Sequence, residues 1–403
     1  MKKICLSVVG LFLSFVALFG QTEKDTSTYK PRKLTFEEAN LVSSYYRQDG
    51  NNSAVTGGIG TENLTDYSNT VDLKFVKWGR KDIKHSFHLE VGMDHYTSAS
   101  SDKINPYTIS SPSHADTRIY PSLSWMAENN AKGTTVGAGL SFSNEFDYRS
   151  IGANVLFAQK TANRNGEFSA RLQAYLDNLK LIYPIELRSG VIPTTREEER
   201  GDDYATASRN SFSGSFSYSQ IINPSLQLAL IADVVYQQGY LGLPFHRIYF
   251  TDGNVAIENL PDTRLKIPLG FRANYFVGDK LILRSFYRFY HDDWGLTAHT
   301  AQFETSMKLS PFFSLTPFYR YYKQNSVNYF APYKVHSPSE TYYTSNYDLS
   351  AFNSHFYGAG FRLTPATGVF HVQRISALEL RYGHYNRTTG LNSDIVSLNL
   401  QFK

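Results

Sequence analysis

The chain nearly lacks cysteine: one residue, Cys5, in 403. No apolar segment precedes it, so it is not a lipoprotein cysteine. Removal of the leader that contains it leaves no residue for a disulfide, a thiolate metal centre or a cysteine nucleophile. Long apolar runs are also missing. Beyond the first residues no window approaches the roughly 18 consecutive apolar positions of a membrane helix. Hydrophobic residues make up 41% and the mean hydropathy is negative, which excludes a helical membrane protein. An excess of one charge is lacking too. The formal net charge is +4 and falls to +2 when Lys2 and Lys3 leave with the leader (4 − 2), too little for a nucleic-acid footprint. No composition break or Gly/Ser linker divides the chain, so one large domain is expected.

Aromatic residues, by contrast, are abundant: 15%, with 29 Tyr and 28 Phe, as suits girdles at two membrane interfaces. Lys2 and Lys3, the apolar stretch Ile4 to Phe19, then Gly20 and Gln21 predict a signal peptide over 1–20. Residues 21–36, polar with Lys30, Pro31, Arg32 and Lys33, read as a periplasmic N-terminal segment, leaving 37–403 for the folded domain.

In the last stretch, Val396, Leu398, Leu400 and Phe402 alternate with Ser397, Asn399, Gln401 and Lys403. A strand there has one apolar and one polar face. With its aromatic next to the final residue, it resembles the closing strand of Gram-negative outer-membrane β-barrels. The same alternation recurs upstream, from Val71, Leu73 and Phe75 to Leu378, Leu380 and Tyr382. The count predicts an all-β fold: a single transmembrane antiparallel up-and-down β-barrel of about sixteen strands. Short links such as Gly79 to Asp82 and Gly278-Asp279-Lys280 alternate with long ones, Ser98 to Asp116, Asn178 to Ser208, Gln237 to Thr263 and Lys323 to Ala351. Short periplasmic turns and long extracellular loops are the expected asymmetry, with both termini on the periplasmic side.

Opposite the apolar sets lie many charges, Asp72, Lys74, Glu90, Arg118, Arg171, Glu304, Arg362 and Arg381 among them. Facing lipid, each Arg or Lys would cost about 2 to 4 kcal/mol at the midplane, so they line a wet lumen or pair across it. Arg272, Arg284, Arg288 and Arg320 define a candidate basic wall favouring anions. Neutralisation of that wall, by Glu304 for example, is the alternative.

The most distinctive stretch runs Asp49, Gly50, Asn51, Asn52, Ser53, Ala54, Val55, Thr56, Gly57, Gly58, Ile59, Gly60, Thr61, Glu62 after Gln48. It resembles the Q-D-G-N-x-S-A-V-x-G-G-x-G-T-E signature of a family of bacterial outer-membrane proteins of unknown function. That resemblance implies an outer-membrane location, barrel architecture, and an association with thioredoxin-like and flavin-attachment proteins. Physically, the glycines tolerate positive φ and predict a tight fold-back. A structural turn and an inward constriction or ligand loop both fit. A calcium loop fails because its sixth and twelfth positions are Ala54 and Gly60, and a phosphate loop fails for want of spacing and a following Lys.

Other chemistry is sparse. His85 and His88, three apart, point to opposite faces of a strand. His291-Asp292-Asp293-Trp294 is the most enzyme-like cluster, and a polar turn explains it as well. Arg196 to Arg200 reads as a solvated loop with internal pairing. The aromatics of two long loops, Tyr240, Phe245, Tyr249 and Phe250 in one and Tyr329, Phe330, Tyr333, Tyr342, Tyr343 and Tyr347 in the other, are expected to fold those loops over the mouth. No catalytic residue, metal ligand or cofactor is assigned. The expected function is a non-enzymatic porin-like channel for small polar or anionic solutes, in contact with outer-membrane lipids. The alternatives are a membrane subunit of a larger envelope complex with a lipoprotein or periplasmic partner, and an outer-membrane hydrolase.

Overall fold

A computed structural model describes residues 33–97, 102–103, 115–188 and 204–403. The expected signal peptide, nearly all of the 21–36 segment and the Arg196 to Arg200 run lie outside the described residues.

Sixteen strands form a closed antiparallel barrel: β1 Thr35–Asp49, β2 Leu64–Trp78, β3 Ile83–Thr97, β4 Ala115–Asn129, β5 Thr134–Asn144, β6 Tyr148–Lys160, β7 Gly166–Lys180, β8 Thr206–Asn223, β9 Leu226–Gly239, β12 Thr263–Val277, β13 Leu281–Asp292, β14 Thr297–Ser310, β15 Phe313–Gln324, β16 Phe352–Leu363, β17 Ile375–Arg387 and β18 Asn392–Phe402. Each pairs with its neighbour in sequence, and β1 closes on β18 with Leu41 opposite Leu400 and Tyr45 opposite Val396. The remaining two strands, β10 Arg247–Tyr249 and β11 Val255–Ile257, form a small hairpin within the β9–β12 connection. Sequence periodicity placed that whole connection as loop, because three-residue strands carry no readable alternation.

The barrel is inside out relative to a soluble domain. Apolar residues on the outward positions are bare in isolation: Leu140 is 64% and Leu230 61% exposed. Around the wall, Leu123, Ile151, Leu172, Phe216, Leu269, Phe303, Tyr319, Phe361 and Leu380 do the same. A closed wall satisfies every ladder hydrogen bond internally, so such a surface is stable in lipid and not in water. The fold is a transmembrane β-barrel of the outer-membrane kind.

The two ends differ. At the turn end lie both chain ends of the barrel and connections such as 224–225 and 278–280; the exception is 364–374, which includes the short 3₁₀ turn Val369–His371. At the loop end lie 50–63, the described residues 181–188 and 204–205, 240–262 and 325–351. The buried cluster Trp294, Leu296, Ala298 and Val327 sits at this end, with Tyr290, Tyr322, Tyr329 and Leu349 packed on it.

Candidate functional site: the lumen walls and the loop cap

The period-two alternation that bares the apolar residues turns the intervening ones into the barrel. Two contrasting lumen walls result. On β4 to β8 most inward positions are small and neutral, Ser122 and Ser124, Ser141 and Ser143, Ser150 and Asn154, then Ser211, Ser213, Ser215, Ser217 and Ser219 along one strand, with Arg118, Arg171 and Asp177 as scattered charges. The hydroxyls of Ser169 and Ser217 lie 2.8 Å apart. A recess of about 470 Å³ on this side is edged by Tyr120, Tyr148 and Tyr175.

The wall of β12 to β17 carries the arginines, interleaved with rings. Arg284 meets Glu304 at 2.8 Å, and the same carboxylate takes Arg381 at 3.1 Å. Arg288 reaches Asp233 at 3.4 Å and Arg362 reaches Glu379 at 3.5 Å. Arg272 and Arg320 have no carboxylate partner among the described residues. Arg272 lies over the Phe286 ring, 5.7 Å from its centre. Arg320 donates from Nε to Gln302 Oε1 at 2.9 Å and lies over Phe356 at 5.6 Å. Arginine suits such positions beside rings because its weakly hydrated plane stacks on aromatic faces. A recess of about 560 Å³ there is lined by Arg288, Arg320, Phe286, Phe356, Tyr46 and Tyr322.

The signature stretch forms neither wall. It follows β1 at the loop end and doubles back on itself: the Glu62 amide donates to Gly50 O at 2.7 Å and the Gly58 amide to Ser53 O at 2.8 Å. Gly57 and Gly58 have φ of 77° and 85°. A Cβ at Gly57 would stand 2.6 Å from the Tyr249 ring, and one at Gly58 2.7 Å from Ser345 O, so both the backbone sign and the close approach demand glycine. Asn52 donates to Thr389 O in the β17–β18 connection, and Ser53 is fully buried.

The stretch is clasped from across the barrel. Buried Arg247, at the start of β10, donates to Val55 O at 2.8 Å and holds Glu186 through two nitrogens. In the closed strand order, the β1–β2 connection and the β9–β12 connection stand on opposite sides. Their contact therefore crosses the mouth. Aromatic pairs complete this cap: Tyr249 with Tyr333 at 4.9 Å, Phe250 with Tyr343 at 5.0 Å and Phe330 with Tyr347 at 5.3 Å. The two aromatic loops thus fold over the mouth, as their composition led us to expect.

Charge is buried in the cap. Glu258 accepts from the Leu243 amide at 2.8 Å and from the Thr344 hydroxyl, with His246 3.6 Å away. Burial pushes its carboxyl up, but His246 and these donors outweigh burial and hold it below the usual value. His336 is buried between Glu340 Oε2 at 2.6 Å and Thr344 O at 2.9 Å. In Glu62, burial first and the nearby Asp348 carboxylate second push the carboxyl up to about 7, with Arg387 and His246 pulling the other way.

No local pattern in the sequence marks the Arg247–Glu186 clasp, whose partners are 61 residues apart in two loops. None marks the acidic group Asp116, Glu145 and Asp147 at the loop end either, whose ligand atoms lie within 4.8 Å of one another and have the chemistry to hold a cation. Burial, with Glu145 beside it, pushes the Asp147 carboxyl up to about 6. The enzyme-like cluster separates. His291 points outward to Thr297 Oγ1 at 3.2 Å. Asp292 is buried and occupied by Arg264, the Tyr290 hydroxyl and the amides of Trp294 and Leu296. His85 stacks on Trp125 outside the wall, whereas His88 faces Asp72 inside.

Solved structures of similar fold include a bacterial polysaccharide outer membrane secretin (11% identity over 91% of this chain and 98% of that one, TM-score 0.44). They also include OccD3 (OpdP) of Pseudomonas aeruginosa (9%, 93% and 92%, TM-score 0.44) and OpdK of Pseudomonas aeruginosa with vanillate (7%, 93% and 99%, TM-score 0.41). At these values the likeness concerns the fold alone. No curated protein matches the sequence. The family model for DUF3570, a protein of unknown function, matches residues 84–390, from β3 into the β17–β18 connection; the glycine-rich stretch lies before it. With well over half of its length matched, the chain belongs to the DUF3570 family of proteins of unknown function.

Proposed function

We propose that the protein is a porin-like channel for small anionic or polar solutes, with its loop end at the cell surface and both barrel termini in the periplasm. The observation that carries this reading is the pair Arg272 and Arg320, inward-facing cations with no carboxylate partner among the described residues. In a confined aqueous lumen an uncompensated cation raises the local concentration of anions and lowers that of cations. On this reading the stretch 50–62 is the constriction, held across the mouth by Arg247. The test is planar-bilayer conductance of the refolded barrel, with reversal potentials in a salt gradient, before and after deletion of Asn51 to Ile59. Stepwise anion-preferring conductance that increases on deletion is expected.

The bridged mouth favours one second reading, a membrane subunit that holds a lipoprotein or periplasmic partner, of the thioredoxin-like or flavin-associated kind that the sequence resemblance implies. Silence of both forms in the bilayer, with such a partner co-purifying, would replace the channel by this reading.

A further inference from the structure

The outer surface of the barrel has two unlike rims on β12 to β16. Toward the turn end its outward positions are hydrocarbon or aromatic: Val277, Leu281, Leu283, Met307, Leu309, Phe313 and Leu363. Toward the loop end, within three residues of the strand ends, stand His299 on β14, Lys323 on β15 and His355 on β16. His299 is directly opposite Lys323, and His355 lies two residues along β16 from Asn353, the other residue paired with Lys323. Directly opposed residues on a sheet are about 5 Å apart and diagonal ones about 7 to 8 Å, so the three form one patch.

No outward position of β12 to β16 carries Asp or Glu, and Lys323 makes no salt bridge among the described residues. The rings are also oriented. The Tyr287 hydroxyl lies 2.7 Å from His299 Nδ1 and the Tyr319 hydroxyl 2.7 Å from His355 Nδ1. A phenol donating to Nδ1 leaves the ring proton on Nε2, which makes no hydrogen bond among the described residues. Two imidazole N–H groups and an ammonium thus sit unmatched on the face that meets lipid, at the level where hydrocarbon gives way to headgroups. Cations at that depth are stable only with a headgroup or water as partner.

We propose that this patch binds the phosphate-monoester headgroup of a glycolipid in the leaflet at the loop end. A monoester presents three free oxygens and up to two charges, matching three donor groups, whereas a phosphodiester presents two oxygens and one charge. Which leaflet this is rests on the orientation proposed above; the binding itself does not.

The test uses the full chain in detergent micelles, with three lipids offered in turn: bis-phosphorylated lipid A, the same lipid with its phosphates removed, and phosphatidylglycerol. Lipid retained per barrel is read by native mass spectrometry. The expected result is about tenfold tighter retention of the phosphorylated lipid A than of either other lipid, as one charge-assisted contact supplies. The triple variant H299Q/K323Q/H355Q is expected to lose that preference, and H85Q at the opposite rim to keep it. Heat-modifiable gel mobility checks that each variant is a folded barrel. Equal retention of the phosphate-free lipid, or a triple variant that keeps the preference, overturns the proposal. Phosphatidylglycerol held as tightly as lipid A overturns the monoester assignment. Because no current is measured, failure of the channel reading leaves this result standing, and the reverse.

Discussion

The two lumen walls solve one problem in opposite ways. Both must present polar surface to water while their backs lie against lipid. The β4 to β8 wall does so mainly with short hydroxyls, among which Arg118, Arg171 and Asp177 are scattered charges. The β12 to β17 wall does so with arginines whose charge is partly cancelled by Glu304, Asp233 and Glu379 and partly carried by aromatic faces. The difference teaches where charge is concentrated: the second wall holds the denser set of arginines.

That contrast can be broken most directly at the second wall's two arginines without a carboxylate partner among the described residues. The double substitution R272Q/R320Q leaves an N–H donor on each side chain and removes the charges. Anion-over-cation permeability from reversal potentials is expected to fall severalfold, since lumen charge acts with little screening in a narrow pore. An unchanged ratio would move selectivity elsewhere.

The next effect sharpens the contrast between wall and cap. In the docked loop Glu62 holds its proton up to about 7, against 4.5 for the ordinary group. A carboxyl raised in the docked state favours docking at low pH. The contribution is unaffected below about 4.5, is lost progressively as pH rises to about 7, and stays lost above. At about 1.4 kcal/mol per unit this amounts to something on the order of 3 kcal/mol. Wild-type conductance is expected to be lower at pH 5 than at pH 8, and E62Q to be insensitive over that interval. A variant that keeps the wild-type pH profile would show that another group governs the cap.

The smallest effect belongs to the serine wall. S217A removes one half of the Ser169–Ser217 contact at a wetted surface. It is expected to change thermal stability by less than about 1 kcal/mol and ion selectivity not measurably. A clear selectivity change there would overturn the assignment of selectivity to the arginine wall.

The barrel was legible in the sequence, whereas of the cap only the folding-over of its aromatic loops was, for a physical reason. A stave in a membrane barrel has lipid on one side and water on the other, so each of its residues reports its own environment through period-two alternation. Val396 to Phe402 can be read alone. Loop contacts report nothing locally: that Arg247 would reach Val55 O and Glu186 depends on where two distant strands bring their ends. The glycine-rich stretch stands between the two cases. Its need for positive φ at Gly57 and Gly58 is written in the residues, while the Tyr249 ring and Ser345 carbonyl that crowd them are not. The arginine wall was legible as a face, and the split between paired Arg284 and Arg288 and unpaired Arg272 and Arg320 required the pairing across strands.

The seam between β1 and β18 bears on how such a wall comes into being. Every other joint of the barrel links strands near in sequence, whereas here Ala39 meets Phe402. Fifteen joints close turns or loops between strands consecutive around the wall, a cost that grows only slowly with loop length, and one demands that the two ends of the sheet find each other. Until that last joint forms, the sheet has two raw edges, each able to pair with a foreign strand. Completion is therefore a single late event, and the seam is both the latch that ends assembly and the place where an unfinished barrel is most open to capture.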